Sequence, residues 1–272
     1  MERFVEPASC LTNWLPAVPE RHVHFFTEPG SVKDRRGAGP YAQGVAWQEH
    51  LEREAGRYED GERRLPDAED DDARQRQLTR LGNAAGGAGL ALLMLGRRQE
   101  AAEWFDRAVR CYRESYEHAP PGSWGRPIGA LKARILAGDW PGAEEEARWA
   151  LAEGAVESDS PIGRYAAALA LLTLGQDEDA RPLAASIRER KDFPHDVADA
   201  LATIAAEDQL GYVYAVESVL KSFEHRDEYL EDIPVADTVI VLQALAGRRG
   251  IAADLTSPLL PGASAAPARE DA

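Results

Sequence analysis

Apolar and small residues recur every three or four positions over much of this chain, which is the period of an amphipathic helix. The longest such stripe consists of Leu78, Leu81, Ala85, Ala88, Leu92 and Leu95. A second stripe follows the next glycine and consists of Ala101, Phe105, Ala108 and Tyr112. Two facing stripes joined by a short turn predict a helical hairpin over about residues 73–117.

The short sequence motif at this turn recurs along the chain. It reads LGRRQEA, AGDWPGA, LGQDEDA, LGYVYAV and AGRRGIA, with its glycine at positions 96, 138, 175, 211 and 247. The intervals are 42, 37, 36 and 36 residues, and a small or apolar residue stands five positions after each glycine. A period of this size, with turns between striped segments, predicts stacked helical hairpins.

The same pattern gives element boundaries and an all-α fold class. Hairpins are predicted at about 73–117, 124–153, 160–190 and 194–225, within a helical-repeat domain of residues 41–256. A first helix at about 41–58 precedes them, and a C-terminal capping helix at 234–247 follows. Residues 1–40, rich in proline, glycine and aromatic residues without helical period, are predicted to form an irregular N-terminal arm. Residues 257–272 are predicted to be a disordered tail.

The first hairpin resembles a tetratricopeptide repeat. Gly89, Leu92, Ala101, Phe105 and Ala108 stand where that family has small, large, small, aromatic and small residues. The family's closing proline is absent at its usual place, and the later hairpins match more loosely. The resemblance implies a tetratricopeptide-like α-solenoid that acts as a non-catalytic scaffold and binds another protein or a peptide.

The charge of the chain narrows the choice of partners. The net charge of −16 comes from 47 acidic residues against 31 basic ones. Such a surface disfavours nucleic acid and anionic membranes, both of which attract lysine and arginine. There is no signal-peptide pattern at the N-terminus, and no apolar run approaches the roughly 20 residues of a membrane helix. We therefore expect a cytoplasmic protein, with Cys10 and Cys111 as reduced thiols.

Candidate chemistry is sparse. His22 and His24 would point to one side of a strand and could bind a metal, but an aromatic-rich arm packing on the body is the alternative, and we expect neither metal nor cofactor. Ser123 and Ser160 lack the motif of a catalytic nucleophile. An enzyme that uses the concave cleft remains an alternative, for which we nominate no catalytic residues.

The predicted concave face contains residues that are better candidates for binding than any in the chain are for catalysis. The first helix of each hairpin tends to line that face in helical repeats. Its arginine, lysine and aromatic residues, together with two tyrosines near the fourth turn, are Trp124, Arg126, Lys132, Arg134, Arg164, Tyr165, Tyr212 and Tyr214. Arginine and aromatic residues dominate binding energies, and this set would suit an acidic peptide or a C-terminal carboxylate. The alternative is that several of them pair with the many surrounding carboxylates.

The C-terminal segment, residues 222–261, carries a second resemblance through Leu242, Ala246, Arg249, Gly250, Ser257, Leu259, Leu260 and Pro261. It is similar to the end of bacterial polymorphic-toxin immunity proteins of the immunity family forty-nine type. That resemblance implies an α-helical cytosolic protein that binds and neutralises a cognate toxin. The acidic charge would suit a basic nuclease toxin, because complementary charge speeds association. The alternative is a capping helix whose tail folds back along the last hairpin.

Overall fold

The computed structural model describes residues 47–226, 228–229 and 232–262. These residues form α-helices and contain no β-strand, which confirms the predicted all-α class. The helices are α1 (Trp47–Arg64), α2 (Asp71–Met94), α3 (Arg98–Glu117), α4 (Gly125–Ala137), α5 (Trp140–Ala152), α6 (Pro161–Thr173), α7 (Asp177–Arg188), α8 (His195–Ala205), α9 (Gln209–Glu224) and α10 (Asp237–Gly247). The predicted first helix thus extends six residues beyond its predicted end, and its predicted start lies outside the described residues.

Polar side chains define where several helices begin. Asp70 accepts a hydrogen bond from the backbone amide of Ala73 at 2.7 Å and caps α2. The acidic side chains of Asp71 and Asp72 follow in its first turn, where the positive end of the helix dipole favours them. Equivalent caps of α5, α6 and α9 are formed by Asp139, Ser160 and Asp208. The three consecutive acidic residues Asp70, Asp71 and Asp72 therefore mark the start of α2.

Three of the five repeated glycines form the turns that the sequence predicts. Gly96, Gly138 and Gly175 have φ values of 75°, 74° and 72°, a left-handed conformation that glycine adopts without steric cost. Each follows a helix and is followed two residues later by the next. In these three hairpins the residue five positions on is a fully buried alanine.

The other two glycines do not form such turns. Glu207, with φ of 53°, makes the turn between α8 and α9, whereas Gly211 lies within α9. The residue five positions after Glu207 is Tyr212, which is fully buried like the alanines of the earlier hairpins. Gly247 ends α10, and the left-handed residue after that helix is Gly250.

Helices that are consecutive in sequence pack against each other from α1 to α10. Alternate helices also touch, α2 with α4, α4 with α6, α6 with α8 and α8 with α10. The buried apolar residues form two clusters, and α4 contributes to both, with Ala130 and Ala133 in one and Leu131 and Ile135 in the other. None of the helices within the described ranges is long and apolar enough to cross a membrane.

The C-terminal segment departs from two predicted boundaries. Helix α10 begins at Asp237, and Pro234 lies in the non-helical stretch before it. There the amide of Ala236 donates to the carbonyl of Leu259 at 3.0 Å. Residues 257–262, predicted to be disordered, are packed: Leu259 is buried and the Ser257 hydroxyl donates to Glu224 at 2.8 Å. The predicted arm at 1–40, with His22, His24 and Cys10, and residues 263–272 lie outside the described residues.

Candidate binding pocket

Four of the predicted binding residues are buried in the body of the protein. Lys132 is 4% exposed, and its Nζ lies 2.5 Å from Oδ2 of Asp237 in α10. Tyr165 packs on Phe193 with ring centroids 5.4 Å apart. The Tyr212 hydroxyl donates to Gln243 at 2.8 Å. Burial raises the pKa of both tyrosines.

Trp124, the fourth, is also buried, and its ring lies beside the backbone of Gly163. The three predicted arginines are partly buried and bind groups of their own chain: Arg134 contacts Asp106 at 3.0 Å and Asp139 at 3.2 Å, Arg126 donates to Ser115 at 3.2 Å, and Arg164 donates to the carbonyl of Ser158 at 3.2 Å. Tyr214 alone of the eight is well exposed, at 67%, on α9. Seven of these eight side chains are therefore buried or partly buried within the protein.

Helix α10 lies against helices that were predicted to line the concave face. Helix α10 contacts α4 near its start and also packs on α8 and α9. At its other end, Arg248 and Arg249 donate to the carbonyls of Thr173 and Leu172 at 2.8 Å, at the end of α6. Lys132 therefore faces α10.

A pocket lies where α2, α3 and α4 meet the end of α9 and the described residues that follow it. It encloses about 740 Å³ of non-protein space, part of which is open to solvent. Its walls come from α2, α3 and α4 on one side, and on the other from Phe223, Arg226, Tyr229, Ile233, Val235 and Asp237. Aromatic and aliphatic side chains form most of the lining, among them Leu90, Phe105, Tyr112, Leu136, Phe223, Tyr229, Ile233 and Val235. A mostly apolar concavity with a few polar groups is typical of a ligand site.

The glycines of α2 divide into packing positions and an open position. A Cβ on Gly89 would lie 2.7 Å from the Phe105 ring, and one on Gly82 would lie 2.6 Å from the Tyr112 ring. These glycines let α3 approach α2 closely. At Gly86, which lines the pocket, a Cβ would meet nothing nearer than the Tyr112 hydroxyl at 4.0 Å. Space for a ligand therefore begins at Gly86.

Arg226 is the unusual polar group of the pocket. Its guanidinium carbon lies 3.6 Å from the centre of the Phe223 ring. Its Nε and Nη2 atoms are shielded from solvent and have no hydrogen-bond acceptor among the described residues. Loss of hydration on burial lowers the pKa of Arg226, whereas the nearby charges of Asp237 and Asp196 act to raise it. Buried donors without an acceptor are uncommon and costly.

The remaining polar groups of the lining already have partners. Lys132 binds Asp237, and it also contacts the Thr238 hydroxyl at 3.1 Å. The Tyr112 hydroxyl donates to Oδ1 of Asn83 at 3.0 Å. The described residues that line the pocket include no histidine, serine or cysteine. This set can bind and orient a group through hydrogen bonds and charge.

Residues 47–226, 228–229 and 232–262 contain no group of three or more histidine, cysteine, aspartate or glutamate side chains that could hold a metal ion. The predicted His22 and His24 pair lies outside these ranges.

Sequence reasoning missed Arg226 as a functional residue. The available signal was the spacing of Phe223 and Arg226, three positions apart at the end of an apolar stripe, where the guanidinium can stack on the ring. The spacing does not reveal that α2 lies opposite, because the pocket joins segments more than 100 residues apart.

Comparison of the chain with known proteins found no matching family model, no matching curated protein and no matching solved structure.

Proposed function

We propose that this protein is a non-catalytic, tetratricopeptide-like scaffold of stacked helical hairpins that binds another protein by taking one of its side chains into the pocket. The stacking is supported by the contacts between alternate helices. It is also supported by the fully buried residue that stands five positions after the left-handed residue of four helix–helix turns, Gly96, Gly138, Gly175 and Glu207. The contact between Gly89 and Phe105 supports the repeat-like packing of the first hairpin.

The observation that carries the binding function is the pocket itself. It is a concave and mostly apolar site with a few polar groups, which is the form that ligand sites take. Aromatic walls and a stacked arginine are the residue types that contribute most to binding energy. A side chain inserted there would be surrounded on two sides, by α2–α4 and by the segment before α10.

The test uses two substitutions at Gly86. Leucine at this position projects into the pocket and blocks it, whereas alanine adds one methyl group where there is room. The purified protein captures partners from a lysate of its native organism, and each captured protein is retitrated against both variants by calorimetry. We expect Gly86→Leu to abolish binding of the true partner and Gly86→Ala to retain it.

Two outcomes contradict the proposed site. If Gly86→Leu folds normally and binds the partner as well as the parent protein, the pocket is not where the partner binds. If Tyr214→Ala instead removes binding, the partner contacts the exposed face of α9. Substituting Arg134 or Tyr165 is a poor test, because both are held by contacts within the protein and their loss affects folding.

A cognate toxin is the partner that the C-terminal resemblance implies. The net charge of −16 favours a basic partner. Several residues of the resemblance, such as Arg249 and Leu259, are packed inside the fold and are therefore unsuited to direct contact. Co-expression with toxins encoded next to this protein's gene provides the test: rescue of growth supports an immunity role, and failure to bind any of them contradicts it.

An enzyme remains the alternative of a different class. Its test is turnover of a captured partner or ligand, and a chemical change in that molecule that Gly86→Leu abolishes would replace the scaffold proposal.

A further inference from the structure

Because the proposed function makes this pocket the binding site, its unpaired polar group points to the chemistry of the ligand. We infer that the group that enters the pocket is a carboxylate on an apolar stem, and that Arg226 receives it. Nε and Nη2 lie on one edge of a guanidinium, and this edge matches the two oxygens of a carboxylate.

The first support is the lack of an acceptor for Arg226. Neither Nε nor Nη2 has a hydrogen-bond partner within the described part of the chain, and both are shielded from solvent. The ring of Phe223, 3.6 Å from the guanidinium carbon, covers one face of the guanidinium. A buried charge without a hydrogen-bonding counterion is unfavourable, so a ligand that supplies one is bound more tightly than its neutral analogue.

The second support is that two carboxylates whose charge acts on Arg226, those of Asp237 and Asp196, have hydrogen-bond partners of their own. Asp237 lies 2.5 Å from Lys132 and also accepts the amide of Thr238 at 2.7 Å. Asp196 accepts the amide of Val197 at 2.9 Å. Both act on Arg226 through their charge without a hydrogen bond to it. One unpaired cation beside two engaged carboxylates suits a ligand with a single negative charge better than a doubly charged phosphate.

The third support concerns the rest of the ligand. Leu90, Phe105, Leu136 and Ile233 contribute apolar side chains to the pocket lining. An aliphatic or aromatic stem gains free energy by leaving water there. The acidic surface of the whole protein repels strongly acidic segments, so the expected source is one carboxylate within a neutral or basic segment of the partner.

The experiment uses 4-methylpentanoate and its carboxamide as matched probes, titrated into the full chain by calorimetry and by NMR. We expect the carboxylate to bind at least about tenfold more tightly than the carboxamide, since a hydrogen bond to a charged group is the difference between them. Arg226→Met removes this preference, and Arg226→Lys restores only part of it. Arg80→Met is the matched control, because Arg80 is an exposed arginine of α2 that does not line the pocket.

Equal binding of the two probes, or binding of neither, overturns the inference. If Gly86→Leu abolishes partner binding while Arg226→Met leaves it unchanged, the pocket is the binding site but its ligand is not a carboxylate. Circular dichroism and thermal melting of each variant establish that it folds.

The source of the carboxylate is resolved by presenting the same group in three ways: as the free acid, as a glutamate side chain in a capped peptide, and as a peptide C-terminus. Tighter binding of either peptide supports a carboxylate carried by a partner protein. Tightest binding of the free acid supports the carboxylate but contradicts the side-chain insertion in the proposed function.

Discussion

Lys132 of α4 donates a hydrogen bond of 2.5 Å to Asp237 of α10, across 105 residues of sequence. The lysine side chain is 5% exposed and the aspartate 22%, so this ion pair is largely removed from water. It joins the start of α10 to α4, and both residues line the pocket.

We expect Asp237→Asn and Lys132→Met each to lower the free energy of unfolding by about 2 kcal/mol, because either change leaves a buried polar group without its charged partner. The double variant should recover part of the loss, with a coupling energy of about 1–3 kcal/mol. Denaturant unfolding of the four proteins measures this. Additive losses would mean that the two groups do not interact appreciably.

The glycines of α2 provide a second prediction. Gly82→Ala and Gly89→Ala place a methyl group against the rings of Tyr112 and Phe105, and each should cost about 1–3 kcal/mol through overpacking. Gly86→Ala has room, so it should be neutral or stabilise by up to about 1 kcal/mol through helix propensity. Thermal unfolding ranks the three variants. A destabilised Gly86→Ala variant would contradict the open pocket.

Arg249 holds the end of α10 in place. Its side chain is 8% exposed, pairs with Asp177 and donates to the carbonyls of Leu172 and Leu245. Replacement by methionine should destabilise the protein by about 3 kcal/mol, since Asp177 and both carbonyls lose their donor. Arg248, which is more exposed and stacks on Trp140, is the matched comparison and should cost about 1 kcal/mol. Equal effects of the two substitutions would refute the assignment of Arg249 as the main contact.

Cys111 should react slowly with alkylating reagents. Burial raises the pKa of its thiol from 9.0 to about 11, although the nearby Tyr58 hydroxyl acts in the opposite direction. At pH 8 the reactive thiolate is therefore about 100-fold scarcer than in the unfolded chain. Iodoacetamide labelling followed by peptide mass spectrometry separates Cys111 from Cys10. Equal rates of Cys111 labelling in the folded and denatured protein would contradict this burial.

Much of the helical framework follows from local patterns. The stripe from Leu78 to Leu92 predicts α2, and the glycines at 96, 138 and 175 predict three turns, because left-handed backbone and helical period are local properties of the chain. The turn between α8 and α9 was not predicted at its true position, because Glu207 adopts the left-handed conformation there in place of a glycine. The turn was predicted at Gly211 instead, but Gly211 lies in the first turn of α9, where its amide donates to the capping side chain of Asp208.

The candidate site was harder to predict. The sequence indicated which residue types could bind, but Lys132 and Tyr165 are buried within the protein. In the pocket, the buried donors without an acceptor belong to Arg226. No local pattern reports that Arg226 and Gly86 line the same pocket. Their proximity depends on the path of the segment between α9 and α10.

By itself, the sequence determined that the protein is helical, where most helices begin and end, and that its net charge is strongly negative. Only the tertiary structure decided that α10 lies against α4, that residues 257–262 fold back towards α9, and that a pocket lies between distant segments. The physical reason is the range of the interactions. Helical period and capping act within a few residues, whereas burial, ion pairing and pocket shape depend on which distant surfaces are packed together.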